Sequence, residues 1–262
     1  MGTYVVTGAA SGMGNATAAW LRNEGHTVIG VDVRDAEVMA DLSEKQGREE
    51  ALSEISAMCA GRLDGAALFA GLVGLTGRPA HLLASVNYFG SVRLFEGLRP
   101  MLAKAGTSFA LAACSNSMTV MPNVRQDLVE ALLADDETRA REVADEADSL
   151  QAYPATKTAL ARWLRRASVT PEWIGAGIRL NAIAPGMVET PMVAETRADE
   201  VLGKFIDAFQ VPIGRGGTAT ELAQLAGFML TRATFMVGSI VLADGGTEAQ
   251  LRPDVYPTPW VL

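Results

Sequence analysis

A tyrosine and a lysine lie four positions apart, at Tyr153 and Lys157, in the segment YPATK. On a helix this spacing places both side chains on one face, about one turn apart. A free tyrosine with a pKa of about 10 is a poor base, but a lysine cation beside it favours the phenolate. Because the spacing also occurs by chance, other residues must support the hypothesis that Tyr153 is a general acid/base.

Two polar positions upstream could complete such a site. A predicted strand ends in the segment ACSNS, and its end would bring Ser115 to the sheet edge where α/β proteins bind ligands. Ser117 is the alternative register, and a hydroxyl that merely caps a loop is the alternative role. Asn87 lies in an otherwise apolar helix, where a buried amide needs partners. We expect Ser115 to orient a substrate oxygen and Asn87 to hold a water that supplies protons toward Lys157.

A glycine-rich turn, TGAASGMG at residues 7–14, follows the first predicted strand and opens a helix. Such a turn lets the backbone approach a pyrophosphate, and the free N–H groups of the helix face the anion. The pattern predicts dinucleotide binding, with a tight structural turn as the alternative. The expected contacts are Gly8, Ser11, Gly12, Met13 and Gly14.

The second predicted strand ends at Asp32, about 20 residues after the glycines. A carboxylate there accepts hydrogen bonds from ribose hydroxyls and repels a 2′-phosphate, which favours NAD over NADP. Arg34 nearby could instead hold a phosphate, and Asp32 could be an ordinary turn residue. Asp41 and Leu42 follow a short third strand and are expected to meet the adenine, with a helix N-cap as the other role of Asp41.

The surrounding pattern alternates strands with amphipathic helices. Strands are predicted at residues 4–7, 27–33, 65–70, 107–114, 178–183 and 238–242. Helices are predicted at residues 14–23, 49–59, 84–98, 155–166 and 219–230. This alternation is typical of an α/β fold with a doubly wound parallel sheet of the Rossmann type, with helices on both faces.

Two stretches break the alternation. Only eight residues separate Asp32 from Asp41, too few for a helical crossover, so one helix is expected to be missing there. The long acidic segment 121–150 precedes the Tyr153 helix and is expected to form a helical insert.

Composition excludes several classes of protein. The 262 residues are 49% hydrophobic and 20% charged, which predicts a single domain over residues 1–262. The net charge of -8 argues against nucleic-acid or anionic-lipid partners. The sequence has no apparent signal peptide or membrane span, so we expect a cytoplasmic protein. Cys59, Cys114, His26 and His81 lack metal-ligand spacing, so no metal is expected and the cysteines are interpreted as structural.

Together these segments resemble the short-chain dehydrogenase/reductase family from the first residues to about residue 246. The resemblance extends to Ala70-Gly71, the segment 181–190 and the Asp244-Gly245-Gly246 triplet. It implies that Ser115, Tyr153 and Lys157 carry out hydride-transfer chemistry with NAD, with support from Asn87. It also implies further cofactor contacts at Ala70, Gly71, Tyr153, Lys157, Pro185, Gly186, Val188 and Thr190.

Within the family, the short 32–41 connection, the 85–90 segment and the insert resemble a bacterial hydroxysteroid dehydrogenase/carbonyl reductase subgroup. The expected substrate is a hydrophobic secondary alcohol or ketone such as a 3α-hydroxysteroid, with a coniferyl-type aryl alcohol as the alternative. A catalytically silent NAD-binding sensor is the alternative from another class. The chain departs from the family at Leu68-Phe69, where Asn-Asn is usual, and at Pro154, which we place in a first helical turn.

The segment 187–211 is expected to form an apolar lid over the substrate, or a helix packed on the core. Its apolar members are Met192, Val193, Val201, Leu202, Phe205, Ile206 and Phe209. The insert lies beside the helices through which the family commonly forms tetramers. We therefore expect a homodimer formed through residues 219–230 and 238–242, with the tail 257–262 near that contact and a tetramer as the alternative.

Overall fold

The computed structural model describes residues 1–255, without the side chains of Phe205, Asp207 and Ala208. Its strands are β1 (Thr3–Thr7), β2 (Thr27–Asp32), β3 (Val38–Met39), β4 (Gly65–Leu68), β5 (Ser108–Ala113), β6 (Ile178–Pro185), β7 (Val188–Glu189), β8 (Gly217–Thr218) and β9 (Ile240–Ala243). Within residues 1–255, seven strands form one parallel sheet in the order β3-β2-β1-β4-β5-β6-β9, and β7 pairs separately with β8. The strand order reverses between β1 and β4, so a crevice opens at their carboxyl ends.

Helices cover both faces of the sheet. They are α1 (Gly12–Asn23), α2 (Lys45–Met58), α3 (Ala80–Leu83), α4 (Ser91–Ala103), α5 (Ser117–Val120), α6 (Gln126–Leu133), α7 (Glu137–Asp145), α8 (Ser149–Ala167), α9 (Pro191–Ala198), α10 (Gly203–Ala208), α11 (Ala219–Thr231) and α12 (Thr247–Leu251). A π-helix (Ala84–Gly90) joins α3 to α4, and a short 3-10 turn (Ile174–Ala176) precedes β6.

The alternation of side chains along the strands builds two apolar layers. In β1, Val5 packs into a core with residues of α2, α4 and α8, whereas Tyr4 and Val6 pack on the other face with residues of α1 and α11. Because both faces are covered, the strands are apolar throughout rather than alternating with polar residues. The predicted doubly wound fold is confirmed.

The missing crossover helix is replaced by a five-residue connection between β2 and β3. It suffices because β3 has only two residues and pairs with the last two of β2, so the chain does not have to return along the sheet. The carboxylate of Glu37 accepts a hydrogen bond of 2.9 Å from the N–H of Gly30 and forms an ion pair with Arg22. A Cβ on Gly30 would lie 2.6 Å from that carboxylate, so only glycine admits it.

The acidic segment 121–150 contains α6, α7 and the beginning of α8. Leu128, Val129 and Leu132 of α6 are fully buried, and α6 packs along α8. Most of the acidic side chains face solvent, and the apolar side of α6 packs against the body of the protein.

Two helix boundaries differ from those predicted. Helix α8 begins at Ser149, so Pro154 is its sixth residue and not part of the first turn. Ser149 is buried and bonds the backbone of Leu75, which anchors the start of α8 through a contact that helical periodicity cannot reveal. The predicted single helix over 84–98 is instead a π-helix followed by α4. Among the helices of residues 1–255, none has the length and apolar character needed to cross a membrane.

Candidate active site

The glycine-rich turn lies at the carboxyl end of β1 and forms the floor of a cleft of about 390 Å³. Gly8 has a φ of +70°, which favours glycine. A Cβ on Gly14 would lie 2.2 Å from the carbonyl oxygen of Gly8, so a larger residue would force the turn open. Ser11 precedes α1, and the first N–H groups of the helix have no partner within it. The turn can therefore present backbone donors and a positive helix end to an anion.

Asp32 lies at the end of β2 on the rim of this cleft. One carboxylate oxygen accepts from the N–H of Ala10 at 3.1 Å and the other from the N–H of Val33 at 2.8 Å. These bonds fix the carboxylate beside the glycine-rich turn. Arg34 is exposed and does not line the cleft.

The far end of the cleft is formed by the residues after β3. Asp41 accepts a hydrogen bond of 2.9 Å from the N–H of Ser43, and Leu42 is buried against the cleft wall. Sequence reasoning missed several apolar residues here, because nothing in their local pattern distinguishes a cleft wall from the core. They are Val33, Ala40, Leu82 and Val86.

A smaller cavity of about 80 Å³ adjoins the cleft and contains the catalytic candidates. Ser115, Tyr153 and Lys157 line it, and Ser115 lies close enough to Tyr153 to act on the pKa of its phenol. Ser117 does not line this cavity, and its buried hydroxyl has no partner within residues 1–255. Its backbone N–H instead donates to Ser115 Oγ at 3.1 Å, so Ser115 is the serine that faces Tyr153.

Burial dominates the titration of both catalytic candidates on α8. It raises the pKa of Tyr153, against the opposing effect of the neighbouring Ser115, and it lowers the pKa of Lys157 to about 8. Lys157 Nζ donates to the carbonyl of Ala113 at 2.9 Å and lies 5.9 Å from the ring centre of Tyr153. The expected lowering of the Tyr153 pKa by Lys157 is therefore not seen: burial raises this pKa, and the opposing effect comes from Ser115.

Asn87 lies on the π-helix, behind the two cavities, and is fully buried. Its amide oxygen accepts from the N–H of Leu72 at 2.7 Å, and its amide nitrogen donates to the carbonyl of Leu72 at 2.9 Å. The side chain thus binds the loop after β4 rather than facing the substrate cavity. A Cβ on Gly71 would lie 3.1 Å from Asn87 Oδ1 and 3.5 Å from Lys157 Nζ, so Gly71 lies directly beside both side chains.

The departure at Leu68-Phe69 is compensated locally. Thr7 at the end of β1 accepts a hydrogen bond of 3.0 Å from the N–H of Ala70, which ties the loop to the first strand. Phe69 lines both cavities and packs on the core face that contains α1 and α11. The sequence showed that the usual amide side chain is missing at this position. It did not show that the ring of Phe69 would line the two cavities in its place.

The segment after β6 closes the other side of the catalytic cavity. Pro185, Gly186, Val188 and Thr190 all line it, and Thr190 precedes α9. A Cβ on Gly186 would lie 2.5 Å from Asp244 Cβ, so the chain needs glycine to pass this point.

The predicted lid contains α9 and α10. Its residues Met192 and Val193 line the catalytic cavity, whereas Val201 and Phe209 are exposed. Asp199 holds the lid to the loop after β4 by accepting hydrogen bonds from the backbone and hydroxyl of Thr76 at 2.7 and 2.9 Å. The predicted tail contact of residues 257–262 lies outside the described residues.

The donor set suits an organic dinucleotide better than a metal. Backbone N–H groups meet an anion at the turn, a carboxylate meets hydroxyls at Asp32, and apolar walls flank the far end. Across residues 1–255 no cluster of three or more His, Cys, Asp or Glu side chains is arranged to hold a metal ion.

Comparisons with known proteins agree with this geometry. A family model described as Enoyl-(Acyl carrier protein) reductase matches residues 137–248. A 3-alpha-hydroxysteroid dehydrogenase/carbonyl reductase of Comamonas testosteroni is 35% identical, covering 98% of this chain and all of the relative. A coniferyl-alcohol dehydrogenase of a Pseudomonas species is 30% identical over 92% of this chain and 94% of its own. The crystal structure of a 3-alpha-hydroxysteroid dehydrogenase from Pseudomonas sp. B-0831, complexed with NADH, superposes with a TM-score of 0.92 and 38% identity, covering 97% and 100% of the two chains.

Proposed function

Because the chain belongs to the short-chain dehydrogenase/reductase family, as its motifs predicted, we propose that it interconverts a hydrophobic secondary alcohol and its ketone with NAD. The class of substrate that we propose first is the 3α-hydroxysteroids. The observation that carries the proposal is that Ser115, Tyr153 and Lys157 line one cavity, which adjoins a cleft whose residues suit a dinucleotide. The full-length similarity to a hydroxysteroid dehydrogenase/carbonyl reductase supports the substrate class.

The proposed proton chemistry follows from the contacts of Tyr153. The phenolate form of Tyr153 accepts the hydroxyl proton of an alcohol in one direction, and the phenol so formed returns that proton to the carbonyl oxygen in the other. Ser115 donates a hydrogen bond to the oxygen on which negative charge develops. Since burial raises the pKa of Tyr153, the phenol is protonated at neutral pH, and alcohol oxidation should speed up as the pH rises into the alkaline range.

The proposed cofactor contacts follow the cleft. The pyrophosphate would meet the N–H groups of the 8–14 turn, the adenosine ribose would meet Asp32, and the nicotinamide would lie beside Pro185, Gly186 and Thr190. When bound, NAD accepts the hydride that leaves the alcohol carbon. The carboxylate of Asp32 would repel a 2′-phosphate, and for that reason we propose NAD rather than NADP.

A hydrophobic substrate requires the lid to move. The catalytic cavity of about 80 Å³ is far smaller than the roughly 300–1,000 Å³ of typical ligand pockets. Its lid side is formed by Met192 and Val193, which would lie against the rings of the substrate. Entry therefore requires α9 to move away from the loop that contains Thr76.

The test is the formation of NADH by the purified protein, at alkaline pH, with 3α-hydroxysteroids, coniferyl-type aryl alcohols and alicyclic alcohols as substrates. Tyr153→Phe should still bind NADH but lose turnover by about 10² or more, the scale of acid/base catalysis. Turnover within a few-fold of wild type would remove Tyr153 from the mechanism. Selective oxidation of aryl alcohols would favour the coniferyl-type alternative, which the 30% identical relative supports. Tight NADH binding without any turnover would instead identify a sensor.

We also propose that the protein is a homodimer. Strand β9 forms one edge of the sheet and helix α11 flanks it, with Phe228 and Phe235 exposed nearby. On the other side, α6 packs along α8 and covers part of the surface that the family commonly uses for tetramers. Light scattering at micromolar concentration tests this: a stable tetramer that persists when the insert is replaced by a short loop would overturn the proposal.

A further inference from the structure

Helix α7 of the insert makes polar contacts with three elements, of which α3 and the π-helix line the cofactor cleft and α2 lies next to it in the chain. Arg141 donates to Ser85 of the π-helix at 3.0 Å. Asp145 pairs with His81 of α3 at 2.8 Å and also accepts from its backbone N–H. Glu137 pairs with Arg48 of α2 at 2.6 Å. The insert is thus attached to the body of the protein on the side where the cleft holds Leu42, Leu82 and Val86.

The contact between Glu137 and Arg48 is the most buried of the three. The Arg48 side chain is only 4% exposed, against 24% for Glu137. Both terminal nitrogens of the Arg48 guanidinium donate to the Glu137 carboxylate, at 3.2 and 2.6 Å, and form a bidentate ion pair. Such a pair holds the planar guanidinium in one orientation, and removing one partner leaves a buried charge without compensation.

Arg48 also holds the loop at the far end of the cleft. Its Nη1 donates to the carbonyl of Leu42 at 3.0 Å and to the carbonyl of Ser43 at 3.3 Å. Leu42 and Ser43 both line the cleft directly after Asp41. A continuous set of contacts therefore runs from the insert, through one buried guanidinium, to the cleft wall.

We propose that Glu137 is a positioning residue for the adenosine half of the cofactor. It acts through Arg48, whose orientation fixes the 41–43 loop in the shape that receives the adenine. The inference rests on the proposed cofactor cleft and assigns to the insert a role in cofactor affinity. Glu137 does not line the Tyr153 cavity, so it acts on binding of the adenosine half and not on the proton chemistry.

The test compares Glu137→Gln with Glu142→Gln on the same helix. Glu142 is the matched control, because its pair with Arg139 is exposed on both sides. The dissociation constants of NADH, AMP and reduced nicotinamide mononucleotide are measured by calorimetry, together with steady-state kinetics. For Glu137→Gln we expect the constants of NADH and AMP to rise about tenfold, the scale of one charged hydrogen bond. The constant of the nicotinamide fragment and kcat at saturating cofactor should stay within about twofold, and Glu142→Gln should match wild type in all of these.

The outcomes separate this inference from the proposed function. If wild type binds neither NADH nor AMP, the proposed cofactor cleft is wrong. If wild type binds both and Glu137→Gln binds AMP equally well, the positioning role is refuted while the proposed function stands. An equal loss for both fragments would indicate general destabilisation and would also refute it. If Glu137→Gln does not fold, Arg48→Lys provides the second test. Lysine keeps the positive charge but cannot form the bidentate ion pair, so the same selective loss of AMP binding is expected.

Discussion

Replacing Lys157 by methionine should stabilise the fold at neutral pH while removing activity. Burial lowers the pKa of Lys157 from 10.5 to about 8. At about 1.4 kcal/mol for each pKa unit, keeping this ammonium protonated in the fold costs about 3 kcal/mol at pH 7. Methionine has a similar length and carries no charge, but it leaves the carbonyl of Ala113 without its 2.9 Å hydrogen bond, a loss of about 1 kcal/mol. The free energy of unfolding should therefore rise by about 2 kcal/mol.

The stability difference between the methionine variant and wild type should depend on pH. Between pH 8 and 10.5 the unfolded chain keeps a proton on Lys157 that the folded chain has lost, so the stability of wild type rises with pH in that window. The methionine variant lacks this contribution. Its advantage over wild type should fall from about 2 kcal/mol at pH 7 to near zero at pH 10.

Urea unfolding at pH 7 and pH 10, at fixed protein concentration, measures both values. Lys45→Met is the matched control, since its side chain is 83% exposed and the change should stay within about 0.5 kcal/mol. A Lys157→Met variant that is less stable than wild type at pH 7, or an advantage that does not shrink with pH, would refute the reasoning. The buried charge would then be compensated by contacts other than the carbonyl of Ala113.

Two further predictions concern the cofactor and the catalytic serine. Wild type should strongly prefer NAD. Asp32→Ala should lower the ratio of kcat/KM for NAD to kcat/KM for NADP, because it removes the carboxylate that repels the 2′-phosphate. A wild type that prefers NADP would contradict this, and Arg34 would then be the first residue to examine. Ser115→Ala should lower kcat by about 10² or more at unchanged NADH affinity, while Ser117→Ala should stay within about threefold of wild type, because only Ser115 faces Tyr153. Equal losses in steady-state kinetics would mean that the two serines have not been correctly distinguished.

The parts that the sequence predicted well depend on short-range patterns. The glycine-rich turn, the acidic end of β2 and the Tyr153/Lys157 spacing each lie within one strand, turn or helix, so local rules place them. The two-residue strand β3 before Asp41 was also predictable, because the short connection leaves room for nothing longer.

The parts that it could not predict depend on contacts between distant segments. Asn87 of the π-helix bonds the backbone of Leu72, fifteen positions earlier in the loop after β4. Periodicity within 84–98 cannot reveal that partner, so it gave one uninterrupted helix and left the amide available for water. The prediction that Lys157 lowers the pKa of Tyr153 failed for a similar reason. The burial of Tyr153 and the hydrogen bond from Lys157 to Ala113 are properties of the assembled fold.

The short connection between β2 and β3 also determines how copies of the protein can meet. An open sheet edge is a template for strands of other molecules, and proteins block such edges with short strands and charges. Here β3 is two residues long and too short to reach the N–H of Gly30. That N–H already donates a hydrogen bond to Glu37, which forms an ion pair with Arg22. The β3 edge is thereby protected from aggregation by strand addition. The opposite edge, at β9, is the one through which we propose that the homodimer forms.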